Sequence, residues 1–461
     1  MPLMKERSDH STKHSCITGW VFLVAIFATL AWRQHQFVDR YAVNMMFWDQ
    51  WDLYRPFFEN WSPWGIFSVQ FGPHRQGAGF LVTRILAAMS GWNSRWDAFG
   101  ISLLLVAAAL AAIWLARRCG VRSPLSLAAV PLLFFNVHQY EEFVGASNLS
   151  HGAMPVLLLM LYCMAWFIHD RRARLLIQGA LALPLVFTGF AQVGGVLALG
   201  LAVLEMFQAR RIGAEGARKE AGRLPILWNG AGLLLILGAW ALFFHGFRFD
   251  RMDVDFQFPY GKLWECPVFS SLMLANFFGF PPHALVSVLF GAGVALLLAS
   301  AAVWHGWRCW RDGFENRRAS VVIVVLSGFT LLYCADTAIG RVHLGLDGAP
   351  AASRYVTLMI PGALAVYLHF ATLKLRGTGF LWLIMALALV PATTRLSSRE
   401  WTSVRWYSEG RAAWKAAYLA THDEAKANEA SHFQVYPHSV ADRLEFLERN
   451  HLNLFRGPPD R

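Results

Sequence analysis

The chain has 461 residues, of which 56% are hydrophobic and only 15% are charged. A soluble domain carries roughly 25% charged residues, so this composition excludes an ordinary soluble protein. The net charge of +11 does not indicate a nucleic-acid partner, because the basic residues cluster at the ends of apolar runs. Several apolar runs of 17 or more residues predict an all-α polytopic membrane protein, with the lipid bilayer as a partner.

Eleven membrane spans are predicted from these runs. The first run follows Lys5, Arg7 and Lys13 as in a signal peptide, but no small-x-small cleavage site comes after it, so we expect a retained span. The run 77–89 is too short to cross and is predicted to lie at the interface. Residues 189–195 allow a tight hairpin between two spans or one long broken helix. The predicted spans are 16–32, 98–116, 121–137, 152–169, 173–189, 191–207, 224–245, 283–304, 319–335, 354–372 and 377–393.

The basic residues predict how these spans are oriented. Twenty Lys and Arg lie in the short segments on one side, and four lie in the short loops on the other. Because cytoplasmic loops carry the excess, the N-terminal tail 1–15 is predicted to be cytoplasmic. The transmembrane domain then covers 16–393, with a long first outer loop at 33–97. The C-terminal segment 394–461 is predicted to form a small helical cap on the outer face.

The first outer loop contains the most unusual stretch of the chain, FWDQWD, in which Asp49 and Asp52 lie among tryptophans. Two residues three apart share one face of a helix, so these acids are expected to act together. A simpler interpretation is an aromatic belt that anchors a surface helix with solvated acids. The loop ends in His74 and Arg75, which are candidates for binding a phosphate or a lipid headgroup.

Later outer loops add acids and arginines. Glu141 and Glu142 are either substrate-binding residues or solvated acids. Arg354 opens an apolar run and is followed by Tyr355; a charge there costs a few kcal/mol unless it has a partner or reaches water. With Arg341 it could hold a phosphate by forked hydrogen bonds, and otherwise it is a snorkelling interface arginine. Polar residues from four loops on one face predict a single outward-facing cavity.

Metal or redox chemistry has little support in the sequence. The six cysteines are scattered and show no CxxC spacing. The alternating acids of 248–256 are better explained by a solvated loop than by cation chelation. A divalent cation at the Asp49–Asp52 pair is left open, and no resident metal or other cofactor is predicted.

These features together resemble the GT-C superfamily of membrane glycosyltransferases. The shared features are a retained first span, a long outer loop with an acid pair, a polytopic bundle and an outer C-terminal segment. The chain is also similar to a set of uncharacterised bacterial membrane proteins of GT-C type. The motifs that carry this second resemblance are WDQWD (48–52), HRQG (74–77), HQYEE (138–142), GRVHLGLDGAPAASRY (340–355) and YPHSVADRLEFLERNHLNLF (436–455).

The resemblance implies a glycosyltransferase of the bacterial inner (cytoplasmic) membrane that works on its outer face. The donor would be a polyprenyl-phosphate-linked sugar, and the acceptor a glycan, a lipid or a protein. Asp49 falls where the family carries an essential acid and would be the catalytic base. The implied site residues are Asp49 and Asp52 for catalysis, Arg354, Arg341, His74 and Arg75 for the donor phosphate, and Glu141, Glu142 and Tyr355 for the substrate.

Three other functions fit parts of the pattern. A transporter or flippase for lipid-linked sugars would share the outer cavity, but transporters usually show internal repeats and polar residues at mid-membrane. A polysaccharide polymerase or ligase typically has its large outer loop late in the chain, whereas here the large loop is the first. A scaffolding protein would not need acids and arginines from four loops on one side.

Overall fold

The computed structural model describes residues 3–215, 219–249, 260–282, 284–373 and 388–456. Most of the predicted span 377–393 and residues 250–256 of the acidic loop lie outside them. The described chain is almost entirely helical, and residues 388–394 are also helix. The longer and shorter α-helices, in chain order, are Leu3–Tyr41, Gln50–Leu53, Arg55–Phe58, Pro63–Ser68, Gly77–Ser90, Arg95–Arg118, Pro124–Leu127, Ala129–Phe134, Glu141–Val144, Ala153–Ala165, Arg171–Phe187, Gln192–Glu215, Lys219–Phe244, Glu265–Asn276, Leu285–Asp312, Arg318–Arg341, Ile360–Leu373, Ser398–Thr421, Glu424–Ser431 and Ala441–Arg449.

Seven helical segments within the described ranges are long and apolar enough to cross a membrane. Each coincides with one of the predicted spans, so the expected class, an all-α membrane protein, is confirmed. The count of eleven is not confirmed. The seven segments are Ile17–Tyr41, Arg95–Arg118, Gly189–Ala209, Leu227–Phe244, Leu285–Asp312, Glu315–Leu344 and Ser353–Leu373.

Three other predicted spans have a different local structure. The run 121–137 is divided into Pro124–Leu127 and Ala129–Phe134. The break follows from Pro131, which lacks an N–H and whose ring would clash with the carbonyl of residue 127 in a continuous helix. The run 152–169 contains the 13-residue helix Ala153–Ala165, which rises about 20 Å against a hydrocarbon core of roughly 30 Å. The run 173–189 is the 17-residue helix Arg171–Phe187.

The long helices expose large apolar side chains on the outside of the bundle. Leu234 is 69% exposed, Leu296 71% and Val303 73%. An apolar surface of this kind would be unfavourable in water and is stable against lipid acyl chains. The helices therefore form a multi-pass bundle with the bilayer around it.

The helices Arg171–Phe187 and Gln192–Glu215 form a hairpin, which was one of the two alternatives left open by the sequence. Arg174 near the start of the first helix pairs with Glu205 late in the second, with Nη2 and Oε1 2.8 Å apart. A continuous helix would separate these residues by more than 40 Å at about 1.5 Å per residue. The turn passes through Gly189, whose φ is +48° and where a Cβ would lie 1.9 Å from the Ser150 carbonyl oxygen.

The one β-hairpin within the described residues lies in the first loop. Strands Gln70–Phe71 and His74–Arg75 pair antiparallel, with Gln70 opposite Arg75. Gly72 in the connecting turn has φ +56°, a conformation that suits glycine. The hairpin therefore turns His74 and Arg75 back into the protein, where both are buried.

The first loop and the C-terminal segment share a second hydrophobic core beside the bundle. Trp51 of the loop and Trp414 of the segment are both fully buried in it. Arg411 joins three parts of the chain, because its guanidinium donates to carbonyls at Val43, Met45 and Val144. Burial lowers the pKa of Arg411 to about 9. The C-terminal segment is thus a helical cap on the first loop.

Candidate functional site

The first loop holds Asp49 on a rigid turn. Trp48 has a left-handed backbone conformation with φ 51°, and its N–H donates to Val435 O at 2.8 Å. The helix Gln50–Leu53 begins directly after Asp49. The Asp49 carboxylate caps none of the helix N–H groups, and no described residue forms a hydrogen bond with it. The backbone around Asp49 is therefore held in place, while its carboxylate is free to contact a ligand.

Charges from distant parts of the chain act on Asp49. Burial raises the pKa of its carboxyl; the charge of Arg354 opposes that rise, Asp52 adds to it, and Arg341 opposes it. Arg341 ends the helix Arg318–Arg341, and Arg354 lies at the start of the next helical segment. The fold thus brings the first-loop acid and both arginines into one electrostatic environment.

Arg354 is an exposed residue, yet protein atoms surround its charged group, as they do in a cleft. The groups whose charges act on it belong to Tyr355, Glu141, Asp49 and Tyr407. The guanidinium carbon lies 5.7 Å from the centre of the Tyr355 ring. No described residue accepts a hydrogen bond from the Arg354 side chain. Its forked donors are therefore available to an anion.

Glu141 forms hydrogen bonds with two other segments of the chain that line this cleft. Its carboxylate accepts the Arg354 backbone N–H at 3.1 Å and the Tyr407 hydroxyl at 3.3 Å. Its own N–H donates to Ser353 Oγ at 3.1 Å. The side chain predicted to bind substrate thus also joins three segments of the chain and helps to position Arg354.

Glu142, the next residue in the chain, is a buried acid. It is 4% exposed, and its carboxyl lies so close to Gly152 that a Cβ there would be 2.7 Å from Oε1. Burial raises its pKa to about 8, with a further rise from Glu141 and an opposing effect of Arg354. No described residue forms a hydrogen bond with the carboxyl. Glu142 is therefore mostly protonated at neutral pH and can give or take a proton there.

His74 lies deeper, against the ring of Phe190 with centroids 4.1 Å apart. Burial lowers its pKa to about 3, and the charges of His151 and Arg341 lower it further. His74 is neutral at physiological pH and supplies no charge to a phosphate. It could contribute only as a neutral hydrogen-bonding group.

Arg75 contacts the backbone and does not face the cleft. Its guanidinium donates to Phe243 O at 2.6 and 2.8 Å, to His245 O at 2.7 Å, and to Ser68 O. The Phe243 and His245 carbonyls lie at and beyond the end of Lys219–Phe244, where helix carbonyls lack intrahelical partners. Arg75 thus caps a helix, and we leave it out of the phosphate site.

Asp52 shares a helical turn with Asp49 but has different contacts. Its carboxylate accepts the Tyr436 hydroxyl and lies 3.3 Å from Nη2 of Arg443. Both partners belong to the C-terminal segment. Burial and the bond to Asp52 raise the pKa of Tyr436 to about 12. Asp52 therefore fastens the cap to the loop and affects Asp49 mainly through its charge.

Two residues of the site were not among the sequence candidates for it. Tyr407 of the C-terminal segment binds Glu141, and His151 forms a 3.3 Å contact with Gln76. Burial, Arg354 and Arg341 lower the pKa of His151 to about 4. Local sequence gives no signal for Tyr407, because its partner lies 266 positions away. His151 could have been found, since it is a histidine in the same outer loop as the two glutamates.

Metal ligands are sparse around this cleft. In the part of the chain that the structure describes, no group of three or more His, Cys, Asp or Glu side chains could hold a metal ion. Asp49 and Asp52 would be the nearest pair for a divalent cation, and Asp52 already has two partners.

No protein-family model matches the chain, and neither curated proteins nor solved structures gave a match. Function therefore has to be argued from the geometry of the site itself.

Proposed function

We propose that the chain is a membrane glycosyltransferase of GT-C type. It transfers a sugar from a polyprenyl-phosphate-linked donor to a hydroxyl of a glycan, lipid or protein acceptor at the outer face of the membrane. The observation that carries this proposal is one cleft in which the Asp49 carboxylate and the Arg354 guanidinium both lack hydrogen-bond partners among the described residues. These are the two charges that such a transfer requires.

The roles follow from the chemistry of the transfer. Asp49 takes the proton of the acceptor hydroxyl. At the same time the hydroxyl oxygen of the acceptor forms a bond to the anomeric carbon of the sugar. The bond between that carbon and the phosphate oxygen breaks, and the phosphate leaves with the electron pair. Arg354 faces the growing negative charge with its forked donors, and Arg341 adds a second positive charge. Partial burial strengthens Asp49 as a base by raising its pKa.

The membrane supports the same assignment. The cleft lies beside the helix Ser353–Leu373, one of the seven candidate spans. A donor with a prenyl chain would keep that chain in lipid and present its phosphate at the cleft. Trp48, Trp61 and Trp64 of the first loop are 42, 38 and 51% exposed and are suited to an interface position.

The decisive experiment replaces the proposed base. Asp49→Asn keeps the size of the side chain but cannot accept the proton, so transfer is expected to fall by about 100- to 10,000-fold. The assay follows labelled sugar from mixed polyprenyl-phosphate donors into acceptors in membranes that hold equal amounts of each variant. The polyprenyl-phosphate donor should bind the variant with the same affinity as the wild type.

The matched control is Asp442→Asn, an exposed aspartate of the C-terminal segment. It should transfer sugar at the wild-type rate. Asp52→Asn should lose less activity than Asp49→Asn, because Asp52 does not take the proton and affects Asp49 through its charge. Near-wild-type transfer by Asp49→Asn would remove it from the mechanism.

A further inference from the structure

Apart from the Asp49–Arg354 cleft, the structure has a cavity of about 370 Å³. It is enclosed by the C-terminal half of the first span helix, the segment 135–143 and the start of the C-terminal segment at 394–401. This volume is within the roughly 300–1,000 Å³ of small-molecule sites. Asp49, Glu141, Glu142 and Arg354 are not among the residues that line it, so it is a separate site.

The charged residues of this cavity are both basic. Arg33 and Arg395 line it, and no described acid does. Arg33 donates to Phe135 O at 2.8 Å through one nitrogen, and no described carboxylate pairs with it. Arg395 is exposed, and no described residue pairs with it. Two arginines facing one cavity repel each other unless an anion lies between them.

The position of the cavity makes the unpaired positive charge of Arg33 more unfavourable. Arg33 lies eight residues before the end of the helix Leu3–Tyr41, about 12 Å below it at 1.5 Å per residue. The neighbouring Gln34 donates to Ser102, seven residues inside the helix Arg95–Arg118. The predicted first span ends at residue 32, so Arg33 is near the boundary between headgroups and acyl chains, where an unpaired cation is unfavourable.

Aromatic side chains form a large part of the remaining wall. Phe37, Phe135 and Trp401 line the cavity, and the rings of Phe37 and Trp401 lie 6.4 Å apart. The site thus combines two cationic side chains with an apolar, aromatic surface. A free inorganic anion would use only the first of these, whereas an amphiphile with an anionic head would use both.

We propose that this cavity binds the anionic headgroup of a membrane phospholipid, with the phosphate between Arg33 and Arg395 and the glycerol end against the aromatic wall. The site holds a lipid whether or not the chain transfers a sugar, since the lipid is bound here and not consumed.

The test titrates the purified full-length protein in detergent with phosphatidylglycerol or phosphatidylcholine and counts bound lipid by native mass spectrometry. Phosphatidylglycerol should bind the wild type more tightly than phosphatidylcholine does. Arg395→Gln, at an exposed position that should not disturb folding, should weaken phosphatidylglycerol binding by about 10- to 100-fold, the value of a charged hydrogen bond. Arg33→Gln should do the same.

The matched control is Arg405→Gln, which removes an exposed arginine of the same C-terminal segment that does not line the cavity. It should bind phosphatidylglycerol as the wild type does. Unchanged lipid binding by Arg395→Gln would overturn the proposal. So would inorganic phosphate that displaces the lipid at micromolar concentration, because the site would then recognise a free anion.

Discussion

Arg75 and Arg354 show how two residues expected to bind one phosphate can differ in their contacts. Arg75 donates to backbone carbonyls of three residues, whereas no described residue accepts a hydrogen bond from the Arg354 side chain. A guanidinium with satisfied donors has little to offer a ligand. The expected phosphate contact is therefore assigned to Arg354.

Replacing Arg354 should weaken binding of the donor. Arg354→Lys keeps the charge but loses the planar fork, and Arg354→Gln loses both, so the loss should be larger for Gln than for Lys. A charged hydrogen bond contributes about 1.5–3 kcal/mol, which corresponds to about 10- to 100-fold in the dissociation constant for Gln. Binding of a labelled prenyl-phosphate sugar to purified protein measures this. Wild-type affinity in Arg354→Gln would contradict the assignment, and Arg405→Gln serves as the charge-matched control.

Glu142 predicts how stability depends on pH. Its pKa rises from an ordinary 4.5 to about 8 in the folded protein, mainly through burial. The folded state then holds a proton that the unfolded chain has lost. Its stabilising contribution is therefore complete below pH 4.5 and is lost as the pH rises through 8, at no more than about 1.4 kcal/mol per pH unit.

The Glu142→Gln variant should remove this slope. Wild type and variant should have similar midpoints of thermal unfolding near pH 5, and the variant should be the more stable of the two at pH 9. The exposed Glu429→Gln should follow the wild-type curve. Parallel curves for wild type and Glu142→Gln would show that Glu142 titrates normally.

At the scale of helices, a buried ion network fixes the hairpin of Arg171–Phe187 and Gln192–Glu215. Arg174 is fully buried and pairs with Glu205 at 2.8 Å and with Glu315 at 2.6 Å. Its guanidinium also lies 4.3 Å from the centre of the Trp166 ring. Arg174 is one of the basic residues that predict the orientation of the spans, and in the structure it also links the hairpin to a third helical segment.

Removing Arg174 should therefore destabilise the bundle. Arg174→Met leaves the buried carboxylate of Glu205 without its partner and should cost about 3–5 kcal/mol in the free energy of unfolding. Adding Glu205→Met should restore part of that loss, because one unpaired charge is removed. Arg172→Met, an exposed neighbour over the Trp228 ring, should cost at most about 1 kcal/mol. Equal unfolding midpoints in detergent for Arg174→Met and Arg172→Met would contradict the role of the network.

At the scale of the whole molecule, the shared core of the first loop and the C-terminal segment constrains the topology. Trp48 N–H donates to Val435 O, and Asn44 donates to Asn453 O at 2.9 Å. Two segments in such contact must lie on the same side of the membrane. The excess of basic residues in the opposite segments predicts that this side is the outer one.

Cysteine accessibility tests both statements. In a background without native cysteines, Asn60→Cys of the first loop and Lys426→Cys of the cap, both exposed, should react with an impermeant maleimide added outside. Arg122→Cys, exposed and predicted to be cytoplasmic, should react only after the membrane is opened. Different reactivity of Asn60→Cys and Lys426→Cys would contradict the shared core. The reverse pattern at all three positions would invert the orientation.

The class of the protein and seven of its predicted spans follow from the amino-acid sequence alone. Hydrophobicity is a local property, so seven predicted spans coincide with helices long enough to cross a bilayer. Helix length depends on more than composition. Pro131 divides the run 121–137, and the run 152–169 contains a helix of only 13 residues, Ala153–Ala165, although composition alone counts both runs as spans. The sequence also identified Asp49, Glu141, Glu142 and Arg354 as unusual, because charges beside apolar runs are costly.

Which of these charges are free depends on long-range contacts that the fold creates. Asp49 and Asp52 have similar sequence surroundings, but only Asp52 accepts a side-chain hydrogen bond from a described residue. The donor is Tyr436, 384 positions away. Arg75 donates to a backbone carbonyl 168 positions away, whereas no described residue accepts a hydrogen bond from the Arg354 side chain. The availability of a polar group depends on what the fold packs against it, and those contacts join residues that no local pattern connects.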